Sequence, residues 1–183
     1  MVSQNSNTVY VAKRIETKPS LKRWFKHACS ILQVKHYFNQ HAQNAIADAV
    51  QQAEQGHAGE IQVVIEGHIP ASVAYFSDSR QRAYQLFAEL GVWDTEHNSG
   101  VMLYLNLCDR TVEIVLDRGI QRATDASKWQ QICEQMLPSL KAKNYLEAVL
   151  FAIEHIRLIL EDFQQEMGDK DQDELSNQPI ILK

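Results

Sequence analysis

The sequence has little of what marks the common catalytic and secreted classes. Its 183 residues include three cysteines, Cys29, Cys108 and Cys133. An odd number without regular spacing gives no disulfide framework and no zinc-ligand array, so each is expected as a small core residue in a reducing compartment. No stretch approaches the ~18 apolar residues of a membrane-spanning helix. The start, Met1–Ser20, is polar and lacks the apolar core of a signal peptide, which makes a cytoplasmic protein without a transmembrane segment the expectation. Basic charge is also scarce. A formal net charge of -5 and a pI near 5.8 argue against a nucleic-acid partner, because such proteins carry a basic face. The familiar catalytic motifs are missing as well: no Gly-x-Ser-x-Gly elbow, no Walker phosphate loop, no His-Glu-x-x-His and no dinucleotide glycine fingerprint.

What is present is a regular alternation of helical and strand periods. Residues 1–20 are polar with no sustained period and are expected to be a mobile arm. Leu21, Trp24, Phe25, Ala28, Ile31 and Leu32 predict a helix over Leu21–Phe38 that packs on the body. Ala42, Ala45, Ile46, Ala49, Val50 and Ala53 follow the i, i+3, i+4, i+7 pattern and predict a second helix, stopped near Gly56. At Gly59 the period drops to two: Ile61, Val63 and Ile65 alternate with Gln62, Val64 and Glu66, which predicts a strand. Ser79–Leu90 is again helical. Val101–Asn106 is apolar on both faces, as a strand covered on both sides must be. After the turn Leu107–Arg110, the alternating run through Val112, Ile114 and Leu116 closes a β-hairpin over Gly100–Asp117. Two further helices carry Trp129–Leu140 and Tyr145–Phe163, with Asp125 or Ser127 capping the first and Asn144 the second. The acidic stretch that follows, within residues 166–183, is expected to be a disordered tail, leaving a single domain over 21–165. This order gives an α/β chain with a small mixed sheet covered on both faces.

The histidines are scattered. His57 and His97 fall at loop or strand boundaries, while His27, His36, His41 and His155 are expected to decorate helix surfaces or caps. Acidic residues are better placed. If the strand at Gly59–Glu66 runs through the Ser79–Leu90 helix to a parallel strand at Val101–Asn106, both strands start at one end of the sheet. The hairpin returns antiparallel and delivers Asp117–Arg118 to that same end. Glu60, Asp94, Asn98 and Asp117 are therefore expected to converge. Carboxylates on loop backbone suit an oxygen-preferring cation, Ca2+ or Mg2+, and the same groups could serve acid–base or metal-assisted hydrolysis. The alternative is ordinary turn and cap chemistry, with Asp117 paired to Arg118 or Arg110.

Three segments resemble one family. His57–Ile61 leads into a strand. Phe87–Thr95 is followed by Asn98-x-Gly100-Val101-Met102-Leu103-Tyr104-Leu105, and Asp109-Arg110-x-Val112-Glu113-Ile114-Val115-x-Asp117-Arg118-Gly119-Ile120 spans the hairpin. Together they are similar to the short bacterial branch of the TPM domain family, over about residues 35–165. The resemblance implies a three-layer α/β/α sandwich. It also implies kinship with thylakoid lumen proteins linked to acid phosphatase activity and photosystem II repair, and with receptor-associated membrane proteins of animals; some members of the family bind calcium. Lys143–Ala148 departs from the glycine-rich pattern of the family. The expectation is a non-catalytic binding or accessory module with a divalent cation and a membrane-protein or other protein partner. A metal-assisted acid phosphatase using Asp94, Asp117 and Glu60 is the alternative, and self-association through Trp24, Phe25 and Phe38 is a third reading.

Overall fold

Where the apolar spacing changes from 3.6 to 2, the backbone changes with it. The computed structural model describes residues 9–11, 19–29, 34–56, 58–164 and 174–182. Strand β1 (Val9–Val11) precedes helices α1 (Leu21–Ala28), α2 (Val34–Tyr37) and α3 (Gln40–Ala53). Strand β2 (Glu60–Glu66) follows, then α4 (Ala71–Ala74), α5 (Ser79–Glu89) and the hairpin β3 (Gly100–Asn106) and β4 (Thr111–Leu116). Helices α6 (Arg118–Ala123), α7 (Ala126–Lys141) and α8 (Tyr145–Gln164) and strand β5 (Ile180–Leu182) complete the order. Among the described residues, no helix is long and apolar enough to cross a membrane.

The five strands run in the order β1-β4-β3-β2-β5. β2 and β3 are parallel with Ile61 opposite Val101, and β3 and β4 are antiparallel with Leu103 opposite Ile114. One face of the sheet presents Ile61, Val63, Ile65, Val101, Leu103, Leu105, Val112, Ile114 and Leu116 to a core filled from α3, α7 and α8 by residues such as Ile46, Val50, Trp129, Met136, Val149 and Ile156. The other face presents Val64, Met102, Tyr104 and Val115 to Ala83, Leu86 and Phe87 of α5. Helices thus cover both faces. This is the three-layer α/β/α sandwich with a small mixed sheet.

The local chemistry explains the boundaries. α5 begins with a full capping box: Asp78 accepts the Gln81 amide, and the Gln81 side chain accepts the Asp78 amide. Asp125, not Ser127, caps α7. Gly56, at φ +88, stands just past α3 where a left-handed residue ends a helix.

Three expectations need amendment. The helix foreseen over Leu21–Phe38 stops at Ala28 and resumes only at Val34; Ile31 and Leu32 lie outside the described residues. Its large apolar residues do not pack inward either, since Leu21, Trp24 and Phe25 are exposed while Arg23 and His27 are buried. Arg23 turns inward because partners wait there: its Nε donates to the Ala74 carbonyl at 2.6 Å and its Nη2 to Tyr75 at 3.3 Å. The second amendment concerns the chain ends. Val9–Val11 pairs antiparallel with β4, and Ile180–Leu182 pairs parallel with β2, so the arm and the tail each supply an edge strand. Of their other residues, 1–8, 12–18, 166–173 and 183 lie outside the described residues. The third concerns the cysteines: only Cys133 is buried, while Cys29 is exposed and Cys108 half-buried.

Candidate functional site

The loop between α5 and β3 is fastened by its own backbone and by its neighbours. Asn98 donates its amide to the Thr95 carbonyl, and Ser99 donates to Thr95 Oγ1 at 2.8 Å. The exit of β4 closes on the same loop: the Asp117 amide donates to the Gly100 carbonyl at 2.8 Å, and the Gly119 amide to that of Asn98 at 3.1 Å. Two glycines make this approach possible. A methyl group at Gly100 would collide with the Val92 carbonyl, and one at Gly119 with that of Asn98. The convergence foreseen at the start of β2 and β3 is therefore a backbone fact.

A cleft of about 560 Å³ opens there, lined by Tyr84, Phe87, Ala88, Trp93, Asp94, Thr95, Asn98, Asp117 and Arg118. Asp94, Asn98 and Asp117 share it. Glu60 does not line it: its Oε2 accepts the Leu175 amide at 3.3 Å, so its carboxylate is engaged by the segment that leads into β5. Asp117 is the unusual member. Its side chain is 2% exposed, and Oδ1 accepts the Arg118 amide at 2.6 Å while Oδ2 is buried without a partner. Burial raises the pKa of this carboxyl, with the Arg118 amide and charge opposing. A carboxylate oxygen held out of water without a donor is costly, and a cation would relieve it.

The opposite end of the sheet, at the C-terminal ends of β2 and β3, holds polar groups that the sequence reading did not connect. Glu66 receives Arg82 Nε and Nη2 at 3.1 and 2.9 Å and the Tyr104 hydroxyl at 2.6 Å, and Asn106 donates to that hydroxyl at 2.9 Å. Every member is spoken for. On the same face, Glu113 accepts Ser79 Oγ at 2.9 Å and keeps its second oxygen buried and unpartnered.

His27, expected on a helix surface, is fully buried. Its Nε2 faces Asp109 Oδ2 at 3.1 Å, and its Nδ1 accepts the Ile69 amide at 3.1 Å. Cys108 lies beside this pair, with the three ligand atoms within 4.8 Å of one another. The trio invites a metal reading, yet the hydrogen bonds argue against it. A metal-bound histidine donates its other N–H outward, whereas here that nitrogen accepts. Burial opposes a charge on His27, while the contacts of Asp109 and Cys108 favour one and pull its pKa upward. The Ile69 amide works the other way, because an accepting Nδ1 carries no proton. The neutral Nε2–H tautomer serves Ile69 and Asp109 at once, and the buried amide decides the form. Side-chain 15N NMR at pH 7 should therefore find Nδ1 unprotonated and Nε2 protonated; a doubly protonated ring would contradict this assignment. The group reads as a tether of α1 to the β3–β4 turn, reinforced by Lys26 on Asp109 Oδ1 at 2.7 Å.

The fold and the cleft define the class: a three-layer α/β/α protein with an acidic crevice where its parallel strands begin. The chain belongs to the TPM domain family, whose model matches residues 32–158. It is similar in structure to the BA42 protein of the psychrophilic bacterium Bizionia argentinensis, solved by NMR, with a TM-score of 0.70 and 25% sequence identity over 81% of this chain and 98% of that one. No curated protein matches the chain.

The lining residues that sequence reasoning missed are Tyr84, Phe87, Ala88 and Trp93. Trp93 and Phe87 stand in the Phe87–Thr95 run quoted above for the family resemblance, so a signal for them existed. Tyr84 had none beyond its place on α5 one turn before Ala88.

Proposed function

We propose that this protein is a binding module whose cleft takes a hard divalent cation, Ca2+ or Mg2+, through Asp117, Asp94 and Asn98. The observation that carries the reading is the buried, unpartnered Oδ2 of Asp117, a residue that lines the cleft together with Asp94 and Asn98. Oxygen-only ligands on irregular backbone suit calcium in particular, which accepts variable geometry and several waters. Exposed Trp93 on the cleft wall offers an aromatic contact to a protein partner that covers the ion. The role is accessory; hydrolysis of phosphate esters is the competing reading.

The test is a calcium and magnesium titration followed by backbone amide shifts. Shifts should concentrate at residues 93–100 and 117–119. At about a hundred times the dissociation constant, the ion should add roughly 2.7 kcal/mol to stability. That corresponds to roughly 5–10 °C in Tm for a chain of this size. Asp117→Asn should weaken binding at least about tenfold, the scale of one lost charge-assisted contact. Because burial raises the Asp117 pKa, affinity should also rise with pH as that carboxyl ionises. Unmoved shifts at millimolar calcium and magnesium would sink the cation reading. Turnover of p-nitrophenyl phosphate that disappears in both Asp94→Asn and Asp117→Asn would replace the module with a hydrolase.

A further inference from the structure

Helix α1 is turned inside out, and three of its residue pairs spaced by four tell why. Positions i and i+4 lie one above the other on a helix, so Leu21 stacks with Phe25, Lys22 with Lys26 and Arg23 with His27. The Arg23–His27 stripe faces the body, held by the Ala74 and Tyr75 carbonyls, the Ile69 amide and Asp109. The apolar stripe is left outside: Leu21 is 72% exposed, Phe25 63% and Trp24 40%. Phe76 adds to it at 64%, since it follows directly on Tyr75, whose carbonyl receives both the Ser20 amide and Arg23. Four large apolar side chains thus stand out around one short helix. Phe38, grouped with Trp24 and Phe25 on sequence grounds, is fully buried and has no part in this surface.

Charge indicates what covers it. Lys22 and Lys26 form a basic stripe directly beside the apolar one, with Lys26 also paired to Asp109. Residues 13–26 contain Lys13, Arg14, Lys18, Lys22, Arg23 and Lys26 against a single acid, Glu16, in a chain of net charge -5. One third of the 18 basic residues therefore falls in this window. A second copy of the chain, meeting the patch with its own, would set two basic stripes against each other. An anionic surface would not. Leu, Trp and Phe on one side of a short helix, flanked by lysines, is the pattern of a helix lying in the plane of a lipid interface. Aromatic rings settle at headgroup depth there, and lysine stems reach back to the phosphates. The acidic remainder of the molecule would be repelled from the same surface, which orients the protein on it.

We propose that the α1 face, through Leu21, Trp24, Phe25 and Phe76 with Lys22 and Lys26, docks this protein on an anionic lipid surface. Because α1 is fastened to the body by Arg23 and His27, docking needs no refolding of the domain.

The experiment is vesicle flotation of the full chain in about 0.1 M salt with a chelator, which prevents any cation in the acidic cleft from bridging to lipid. Vesicles of 70% phosphatidylcholine and 30% phosphatidylserine are compared with pure phosphatidylcholine. Trp93→Phe leaves Trp24 as the reporter, because Trp129 is fully buried. Binding to the anionic vesicles should exceed that to neutral ones at least about tenfold and bring a blue shift of Trp24 emission. Lys22→Glu should cost roughly tenfold or more. Leu21→Ser with Phe25→Ser should cost about a hundredfold while far-UV circular dichroism is unchanged. Equal partitioning onto both vesicles, no binding to the anionic ones, or binding that survives the double serine variant would each overturn the proposal. So would a dimer in sedimentation that depends on Leu21 and Phe25 in the absence of lipid affinity, which would assign the face to a second copy.

Discussion

Arg82→Met is expected to cost about 3–5 kcal/mol, the penalty for stranding a buried charge. Glu66 is 1% exposed and takes two donors from the guanidinium, with the Tyr104 hydroxyl as its other partner. Removing Arg82 leaves one hydroxyl to hold a carboxylate out of water. Burial and the nearby Glu66 charge already push the Tyr104 pKa well up, so it remains a hydroxyl and cannot supply positive charge. For a chain of this length the loss corresponds to a fall in Tm of roughly 10 °C. The control is the pair Arg82→Met with Glu66→Met, which replaces both charges by apolar groups and should recover most of the loss. Urea unfolding reads both. A single variant within 1 kcal/mol of the parent, or a double variant worse than the single, would show that the pair does not carry the coupling described.

Glu113 should give the molecule an alkaline weakness. Its side chain sits at 0% exposure with one oxygen on Ser79 and the other without a partner. Burial raises its pKa from 4.5 to about 8; the Asp78 charge adds to this, and Ser79 and Arg80 oppose. A folded-state pKa above the unfolded one means that the native protein holds the proton through the interval between them. Stability from this group is therefore greatest below pH 4.5 and is lost as pH rises through 8. The full span approaches about 5 kcal/mol at one pH unit above the folded pKa. Glu113→Gln, which keeps the shape of the protonated acid, should match the parent near pH 5 and exceed it by a few kcal/mol at pH 9. Unfolding midpoints at pH 5, 7 and 9 decide it: parallel profiles for parent and variant would remove Glu113 as the cause.

Both residues show where sequence reading reached its limit. The strands themselves were plain, because Val101–Asn106 is apolar on both faces and β4 alternates. Glu66 and Glu113 fit that alternation as outward residues, and in a sheet covered on one side they would have been. What decides their burial is α5, whose Arg82 and Ser79 approach from far along the chain. Period two tells which residues share a face, but not which partner will make a charge tolerable there. Val115 and Tyr104, on the same face as Glu113, already marked this side as covered; the partner on α5 is what they could not name.

The candidate site was legible to a similar degree. Strand direction alone brings Asp94, Asn98 and Asp117 together, since a parallel crossover followed by a hairpin leaves no other arrangement of those ends. Glu60 met the same criterion and failed, because the distant Leu175 amide claims it. His27 went astray for a related reason: an amphipathic helix is read as apolar-side-in, and α1 reverses that rule through hydrogen bonds to backbone groups near residues 69–75. No periodicity encodes those partners.

The two outer strands carry a last implication. The stretch matched to the family, residues 32–158, contains β2, β3 and β4 but neither β1 nor β5. Trimmed to that stretch, the sheet would be a three-stranded template open on both sides. β4 would lose its partners at Val9–Val11, and the Gly67 amide would lose the Leu182 carbonyl it reaches at 2.9 Å. Unpaired strand backbone of this kind recruits strands from neighbouring molecules. The poorly patterned ends of the chain thus act as selvedges, moving the open border of the sheet onto two strands of only three residues each.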